Sequence, residues 1–130
     1  MSLVGFDTLR VEHPNDRMLI DRLEDAVRSI LRRNPHAVLD EKHLAQITDS
    51  AIAQIELFLV DLLKFHAIES RVAWVCPIRH GTSLEARHLK ELPLLLECRM
   101  CGQEHEYDPA QVEVFFIPSE TLLRSVSAET

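Results

Sequence analysis

The sequence predicts an α+β fold in which helices come first and a small antiparallel sheet follows. Three observations support this prediction. Apolar residues recur with a helical period in the stretch "NDRMLIDRLEDAVRSILRRNP", residues 15–35. In "ESRVAWVCP" the residues Val72, Trp74 and Cys76 alternate with Arg71, Ala73 and Val75 as the two faces of a strand do, and "VEVFFIP" is typical of a last strand. Between them, "CRMCG" interrupts two short strand-like segments and is typical of a tight backbone knuckle.

The first long helix is predicted to begin near Asn15 or Asp16, either of which can cap it, and to stop at Asn34-Pro35. Its apolar stripe includes Ile20, Leu23, Val27 and Ile30, whose spacings of 3, 4 and 3 also occur in paired helices. The stripe is interpreted as packing within the domain in preference to a dimer seam.

Two more helices are predicted, a short one in "LDEKHLAQI" capped by Asp40 and a long one in "AIAQIELFLVDLLKFHAI", residues 51–68. The long helix is apolar on almost every side, apart from a narrow strip formed by Gln54, Asp61 and Lys64. Such a helix is either central to the core or covered on a second side by another chain, and the second interpretation is favoured. The candidate interaction residues are therefore Leu57, Phe58 and Phe65.

The rest of the chain is predicted to contain strands, with a helical stretch within the polar residues 83–91. A strand, a knuckle and a returning strand are expected in "LPLLLECRMCGQEHEYDP", and a last strand in "VEVFFIP" closes at Pro118. Residues 1–14 are interpreted as an N-terminal arm and residues 119–130 as a frayed tail.

A short helix, a turn, a helix ending in "LLKFHAI" and the strand "RVAWVCP" resemble a winged-helix module that runs into a zinc ribbon. Similar arrangements occur in the large subunit of transcription-initiation factor E and in small prokaryotic regulators. The resemblance covers residues 38–117. It implies a winged-helix-like unit over residues 15–75 and a zinc-ribbon-like antiparallel unit over residues 76–118.

The cysteines form a candidate structural zinc site. Structural zinc takes four nitrogen or sulfur ligands, usually in two close pairs. Cys98 and Cys101 form one pair, and Gly102 suits the turn because glycine accepts a positive φ. The motif "CPIRHG" supplies the other pair, so the predicted ligands are Cys76, His80, Cys98 and Cys101. His105 is the reserve ligand, and His88 a weaker one.

Two alternatives to a zinc site remain open. Arg79 stands where a standard ribbon has its other cysteine, so the chain is also compatible with a ribbon that has lost its metal and keeps Cys76 as a buried residue. A redox-active CxxC pair is the other alternative, although such pairs open a helix and "GQEHEYDP" is a poor helix start.

Charge and motifs limit the function. Residues 1–70 hold eight basic against twelve acidic residues, and residues 71–130 hold six against nine, so neither half is cationic. This disfavours binding of nucleic acid. The sequence has no Walker loop, GxSxG, HExxH or deaminase signature, which argues against an enzyme. No membrane segment or signal peptide is predicted, and three cysteines with knuckle spacing indicate a reducing, cytoplasmic location.

The sequence therefore predicts a non-enzymatic zinc-containing module that binds another protein or a second copy of itself. The alternative is a transcription-type regulator that contacts DNA through the ribbon or through a dimer. This alternative draws on the resemblance and on the arginines near the knuckles, such as Arg79 and Arg99.

Overall fold

The computed structural model of the chain describes residues 2–78, 81–88, 91–106 and 108–129, with Ser83 described by its backbone alone. It confirms the α+β fold. The described residues form five α-helices and five strands in two small sheets. The helices are α1 (Phe6–Glu12), α2 (Arg17–Arg33), α3 (Glu41–Thr48), α4 (Ile52–Lys64) and α5 (Glu120–Ser127). The strands are β1 (Ile68–Val75), β2 (Thr82–Ala86), β3 (Leu95–Glu97), β4 (Glu104–Glu106) and β5 (Val112–Pro118).

Strand β1 lies between β2 and β5 in a three-stranded sheet, and β3 pairs with β4 in a separate hairpin. The β1–β2 pair is antiparallel, with Trp74 opposite Leu84, and its register shifts between Trp74 and Val75. The β3–β4 pair is also antiparallel and places Leu96 opposite His105.

The chain divides into two compact units. We call Met1–Glu69 with Phe116–Thr130 the helical unit, and Ser70–Phe115 the cysteine unit. These limits differ from the division into 15–75 and 76–118 made from the sequence. The reason is packing: Val72 and Trp74 belong to the apolar cluster around the cysteines, whereas Phe116 packs against the core of the helices.

Both ends of the described chain are folded. The N-terminal residues taken as an arm contain α1, which buries Phe6 and Leu9 in the helical core. The residues taken as a frayed tail form α5, whose Leu122 and Val126 are buried in the same core. Ser119 caps α5 by accepting a hydrogen bond from Leu122 N at 3.1 Å. Each of these helices is stabilised mainly by the tertiary packing of its apolar face.

The apolar stripe of α2 faces the helical core as its period predicts. Ile20, Leu23 and Val27 are buried there, so packing within the chain accounts for the stripe. Asp40 caps α3 by accepting a hydrogen bond from His43 N at 3.1 Å, which confirms its predicted role. Helix α4 ends at Lys64, four residues before the predicted end, because His66 takes a φ of 61° and the chain turns into β1.

Two members of the polar strip of α4, Gln54 and Asp61, contact residues between α1 and α2. Asp61 is buried, and its Oδ2 lies 2.6 Å from His13 Nε2. Lys64 Nζ is 3.9 Å from Asp61 Oδ1, and Gln54 Nε2 is 3.5 Å from Asp16 Oδ2. This pairing explains how an acidic residue is accommodated on a largely apolar helix.

A buried carboxylate joins α1 and α2. Glu24 Oε2 accepts a hydrogen bond from Leu3 N at 2.7 Å, and Glu24 Oε1 lies 2.6 Å from Arg10 Nη2. Arg28 also approaches Glu24, at 3.8 Å, and it pairs with Glu129 through contacts of 2.6 and 3.1 Å. The network therefore reaches from the N-terminal helix to the residues just after α5.

The described residues of the cysteine unit form a small buried core that includes Val72, Trp74, Cys76, Leu92 and Cys98. The prediction of a helix within residues 83–91 was wrong for residues 83–86, which belong to β2 because pairing with β1 satisfies their backbone. Residues 89 and 90 of that prediction lie outside the described residues. The predicted hairpin around "CRMCG" is confirmed as β3 and β4, and "VEVFFIP" is confirmed as β5.

Within the described ranges, no helix combines the length and the apolar character needed to cross a membrane.

Packing of α5 predicts that Leu122→Ala lowers the free energy of unfolding by about 2–5 kcal/mol, because the substitution leaves a cavity in the core. Thr121 is the exposed neighbour of Leu122. We expect Thr121→Ala to alter the free energy of unfolding by less than about 0.5 kcal/mol. Chemical denaturation of the two variants measures both values. Equal stability of the two variants would show that α5 does not pack.

The Arg28–Glu129 pair predicts a pH-dependent contribution to stability. The hydrogen bond from Arg28 lowers the pKa of Glu129 below its ordinary 4.5, outweighing the effect of burial. The pair therefore stabilises the fold above that ordinary value and ceases to do so as the pH falls through the lowered pKa. We expect Glu129→Gln to lower the Tm at pH 7 and to differ progressively less from wild type at acidic pH.

The matched control is Glu120→Gln, which removes an exposed carboxylate paired with Arg124 on the same part of the chain. Exposed pairs of this kind contribute little, so its Tm is expected to stay close to that of wild type at every pH. A Tm of Glu129→Gln that runs parallel to wild type across the pH range would contradict the linkage.

Candidate metal centre

Three cysteines and one histidine come together in the cysteine unit. The ligand atoms of Cys76, Cys98, Cys101 and His105 all lie within 4.8 Å of one another. Cys76 and Cys98 are buried, and Cys101 is partly exposed, as is His105. None of the three cysteines, all of them among the described residues, forms a disulfide bond. The arrangement is compatible with a metal site.

Cys98 and Cys101 are positioned by the turn between β3 and β4. Cys98 N donates to Gln103 O at 2.8 Å, and Gly102 N donates to Cys98 O at 2.9 Å. Gly102 takes a φ of 75°, as its position after the second cysteine predicts. The closed turn directs the two thiols toward the same point.

Cys76 follows β1 in a second turn, in which Cys76 N donates to Gly81 O at 2.9 Å. The two turns approach closely. A Cβ on Gly81 would stand 2.5 Å from Met100 Cε, the flexible end of a side chain in the first turn. Glycine at position 81 therefore allows the methionine to lie against the backbone of the opposite turn.

His105 is the fourth member of the cluster. It lies in the middle of β4, with its Nε2 3.1 Å from Cys101 Sγ. Its imidazole packs against the indole of Trp74, with the ring centroids 5.3 Å apart. Trp74 is buried, and its Nε1 has no hydrogen-bond acceptor among the described residues. Packing of this kind fixes the orientation of a ligand ring.

The thiols in the cluster are crowded. The backbone N–H of Gln103 lowers the pKa of Cys101, but burial and the neighbouring Cys76 and Cys98 outweigh it, so the pKa is raised above its ordinary value. The thiolate form of Cys101 is therefore disfavoured unless positive charge is placed beside it. A divalent cation provides that charge, and for this reason metal binding at such sites releases protons.

The donor set fits zinc chemistry. In a tetrahedral zinc site with Zn–S bonds of about 2.3 Å, neighbouring ligand atoms stand about 3.8 Å apart. The mutual spacing of these four atoms, below 4.8 Å, requires only small movements to reach that geometry. Four protein ligands also fill the coordination sphere, which is typical of structural and not of catalytic zinc.

The structure places the predicted ligands as follows. Cys76, Cys98 and Cys101 are brought together, and His80 lies outside the described residues. Among the described residues, His105, the reserve ligand from the sequence, joins the cysteines. Successive side chains of a strand point to opposite faces, so the sequence Glu104-His105-Glu106 places the histidine on the face opposite to the two glutamates. In the structure both glutamates are exposed and His105 is half-buried. His88 is exposed and is not part of the cluster.

The three predicted interaction residues differ in their exposure to solvent. Phe58 is fully buried in the helical core and so presents no surface to a partner. Phe65 is half-buried against the same core. Leu57 is 47% exposed and lies on the outer side of the helix, with Ile52 and Val60 also exposed.

A second group that includes possible ligands occurs in the helical unit, where Glu12, His13 and Asp61 lie close together. Its two inner members are already joined by the contact between His13 and Asp61, and Glu12 is exposed. We interpret it as the hydrogen-bonded pair that accommodates Asp61.

Comparison with protein-family models, with curated proteins and with solved structures gives no match to this chain.

The cluster predicts that His105→Ala lowers metal affinity by at least about 100-fold, since even the outer partners of metal ligands contribute about 10–100-fold. Metal content per chain and Tm are expected to fall together. His105→Cys restores a four-ligand set and is expected to retain zinc. Elemental analysis and thermal melting of freshly purified protein provide both readouts.

Two control variants separate His105 from the other candidate histidines. His88→Ala removes an exposed histidine of the same unit and is expected to leave metal content unchanged. His80→Ala tests the ligand suggested by the CPxxHG motif. Loss of zinc in His80→Ala with retention in His105→Ala would identify His80 as the fourth ligand and contradict the prediction.

Proposed function

We propose that this protein is a non-enzymatic protein–protein interaction module in which one structural zinc ion holds the cysteine unit. Cys76, Cys98, Cys101 and His105 are the ligands in this proposal. The interaction surface is the outer side of α4. The observation that carries the proposal is the exposure of Ile52, Leu57 and Val60 together on a helix whose other sides are buried or ion-paired.

We propose no enzymatic role because the proposed zinc site is closed. A cation held by three thiolates and an imidazole has no open position for water or substrate. Its contribution is to folding, because ligands spread over residues 76–105 are joined at one point.

The surface chemistry of α4 supports a protein partner over DNA. In a winged helix that reads DNA, the corresponding helix carries Arg, Lys, Asn or Gln toward the bases. The exposed residues of α4 are instead mainly apolar, with one acid, Glu56, and one base, Lys64. The chain as a whole carries a formal charge of −7, which phosphates would repel.

An electrophoretic shift with random duplex DNA tests the proposal against the regulator alternative. We expect no shift at about 0.1 M salt with protein up to about 10 µM, because sequence-independent DNA binding depends on cationic contacts. The zinc-loaded protein is used, so that the arginines of the cysteine unit are correctly presented. A shift that weakens steeply with added salt would overturn the proposal and favour a DNA-binding regulator.

A further inference from the structure

We propose that α4 pairs with α4 of a second copy of this chain in antiparallel orientation, about a two-fold axis that passes near Val60. This inference rests on the proposed function, in which the outer side of α4 is the interaction surface, and it names the partner. We call that surface the α4 strip and define it as Ala53, Glu56, Leu57, Val60 and Lys64.

The α4 strip has the spacing of a helix-pairing surface. Its members follow one another at intervals of 3, 1, 3 and 4 residues, so they share one side of the helix. All five are exposed, with Leu57 at 47% and Val60 at 41%. Ile52, at 43%, extends the apolar surface at the start of the helix.

The remaining sides of α4 already have partners within the helical unit. Ile55, Phe58, Leu59 and Leu62 are fully buried in its core. Asp61 pairs with His13 at 2.6 Å. The α4 strip is therefore the side of this helix that the described residues leave uncovered.

The charges on the α4 strip are complementary to themselves only in the antiparallel arrangement. Glu56 and Lys64 each lie four residues from Val60, in opposite directions, which corresponds to about 6 Å along the helix axis. A two-fold axis near Val60 therefore brings Glu56 of one copy level with Lys64 of the other, twice per dimer. Parallel pairing would instead bring each glutamate level with a glutamate and each lysine level with a lysine.

Both charged side chains are available for this contact. Glu56 is exposed and has no ion pair with any described residue. Lys64 is 69% exposed in its side chain, and its contact with Asp61 is long, at 3.9 Å. The same symmetry brings Leu57 level with the half-buried Leu63 of the second copy, which adds apolar contact beside each charge pair.

The size of the surface predicts a weak dimer. One helix pair buries less than the roughly 1,600 Å² of a standard interface, so we expect association in the micromolar range. Sedimentation equilibrium of the full, zinc-loaded chain from about 1 to about 500 µM should show the mass rising from one chain of 14.9 kDa toward two.

Val60→Glu tests whether the α4 strip is the contact. It places two carboxylates at the two-fold axis, and like charges brought together at an interface are strongly unfavourable, so the dissociation constant should rise by about 100-fold or more. Val11→Glu is the matched control, since Val11 is 79% exposed on α1 and outside the strip. Circular dichroism confirms that both variants fold.

Charge exchange tests the antiparallel orientation. Glu56→Lys and Lys64→Glu are each expected to weaken association by about 10-fold, because each replaces two attractive pairs by two repulsive ones. The double variant Glu56→Lys/Lys64→Glu restores opposite charges across the axis and should recover most of the wild-type affinity. Parallel pairing gives no such recovery, because like residues stay level with each other in every variant.

A wild-type chain that stays monomeric at about 500 µM overturns the inference, as does a dimer that Val60→Glu leaves unchanged. Single charge variants without recovery in the double variant overturn the antiparallel orientation. These outcomes are distinct from failure of the proposed function, which is measured by the DNA shift. A monomer that does not bind DNA excludes the second copy as the partner and leaves the interaction module standing.

Discussion

The fold of the cysteine unit depends on the interaction that holds three cysteine sulfurs and one imidazole at a single point. It contains only 46 residues, from 70 to 115, and its buried core includes Cys76 and Cys98. A single apolar core of that size rarely suffices, and natural domains of this length rely on disulfides or a structural metal. The three cysteines form no disulfide bond, and their cluster with His105 joins the turn after β1 to the turn between β3 and β4.

The helical unit is stabilised differently, by a large apolar core and a set of buried charges. Glu24 is 6% exposed, and it is tolerated because a backbone N–H and Arg10 satisfy both of its oxygens. Arg28 links the same region to Glu129. Removing one member of such a network costs more than its pairwise contact, because the remaining charge is left buried without compensation. The network therefore connects α1, α2 and the residues just after α5 as one group.

Much of the fold could be predicted from local pattern. The stripe of α2, the Asp40 cap and the limits of β5 follow from periodicity and capping. Helices α1 and α5 were missed because they have only seven and eight residues and form by packing on the core. Phe58 was placed on the surface because a helix that is apolar on nearly every side does not reveal which side is buried. The cysteines of the cluster were evident from spacing, whereas His105 was named from the sequence only as the reserve ligand, and the pairing of β3 with β4 is what brings it beside Cys101.

Trp74 has a consequence for how this molecule can be observed. It is the only tryptophan in the chain, it is buried in the cysteine unit, and its indole lies against the imidazole of His105. Emission from a buried indole responds to nearby rings and to entry of water. The chain thus contains a built-in optical reporter placed beside the ligand cluster. A fluorescence titration with chelator would follow that region without any attached label, while the five phenylalanines and the other unit contribute almost nothing to the signal.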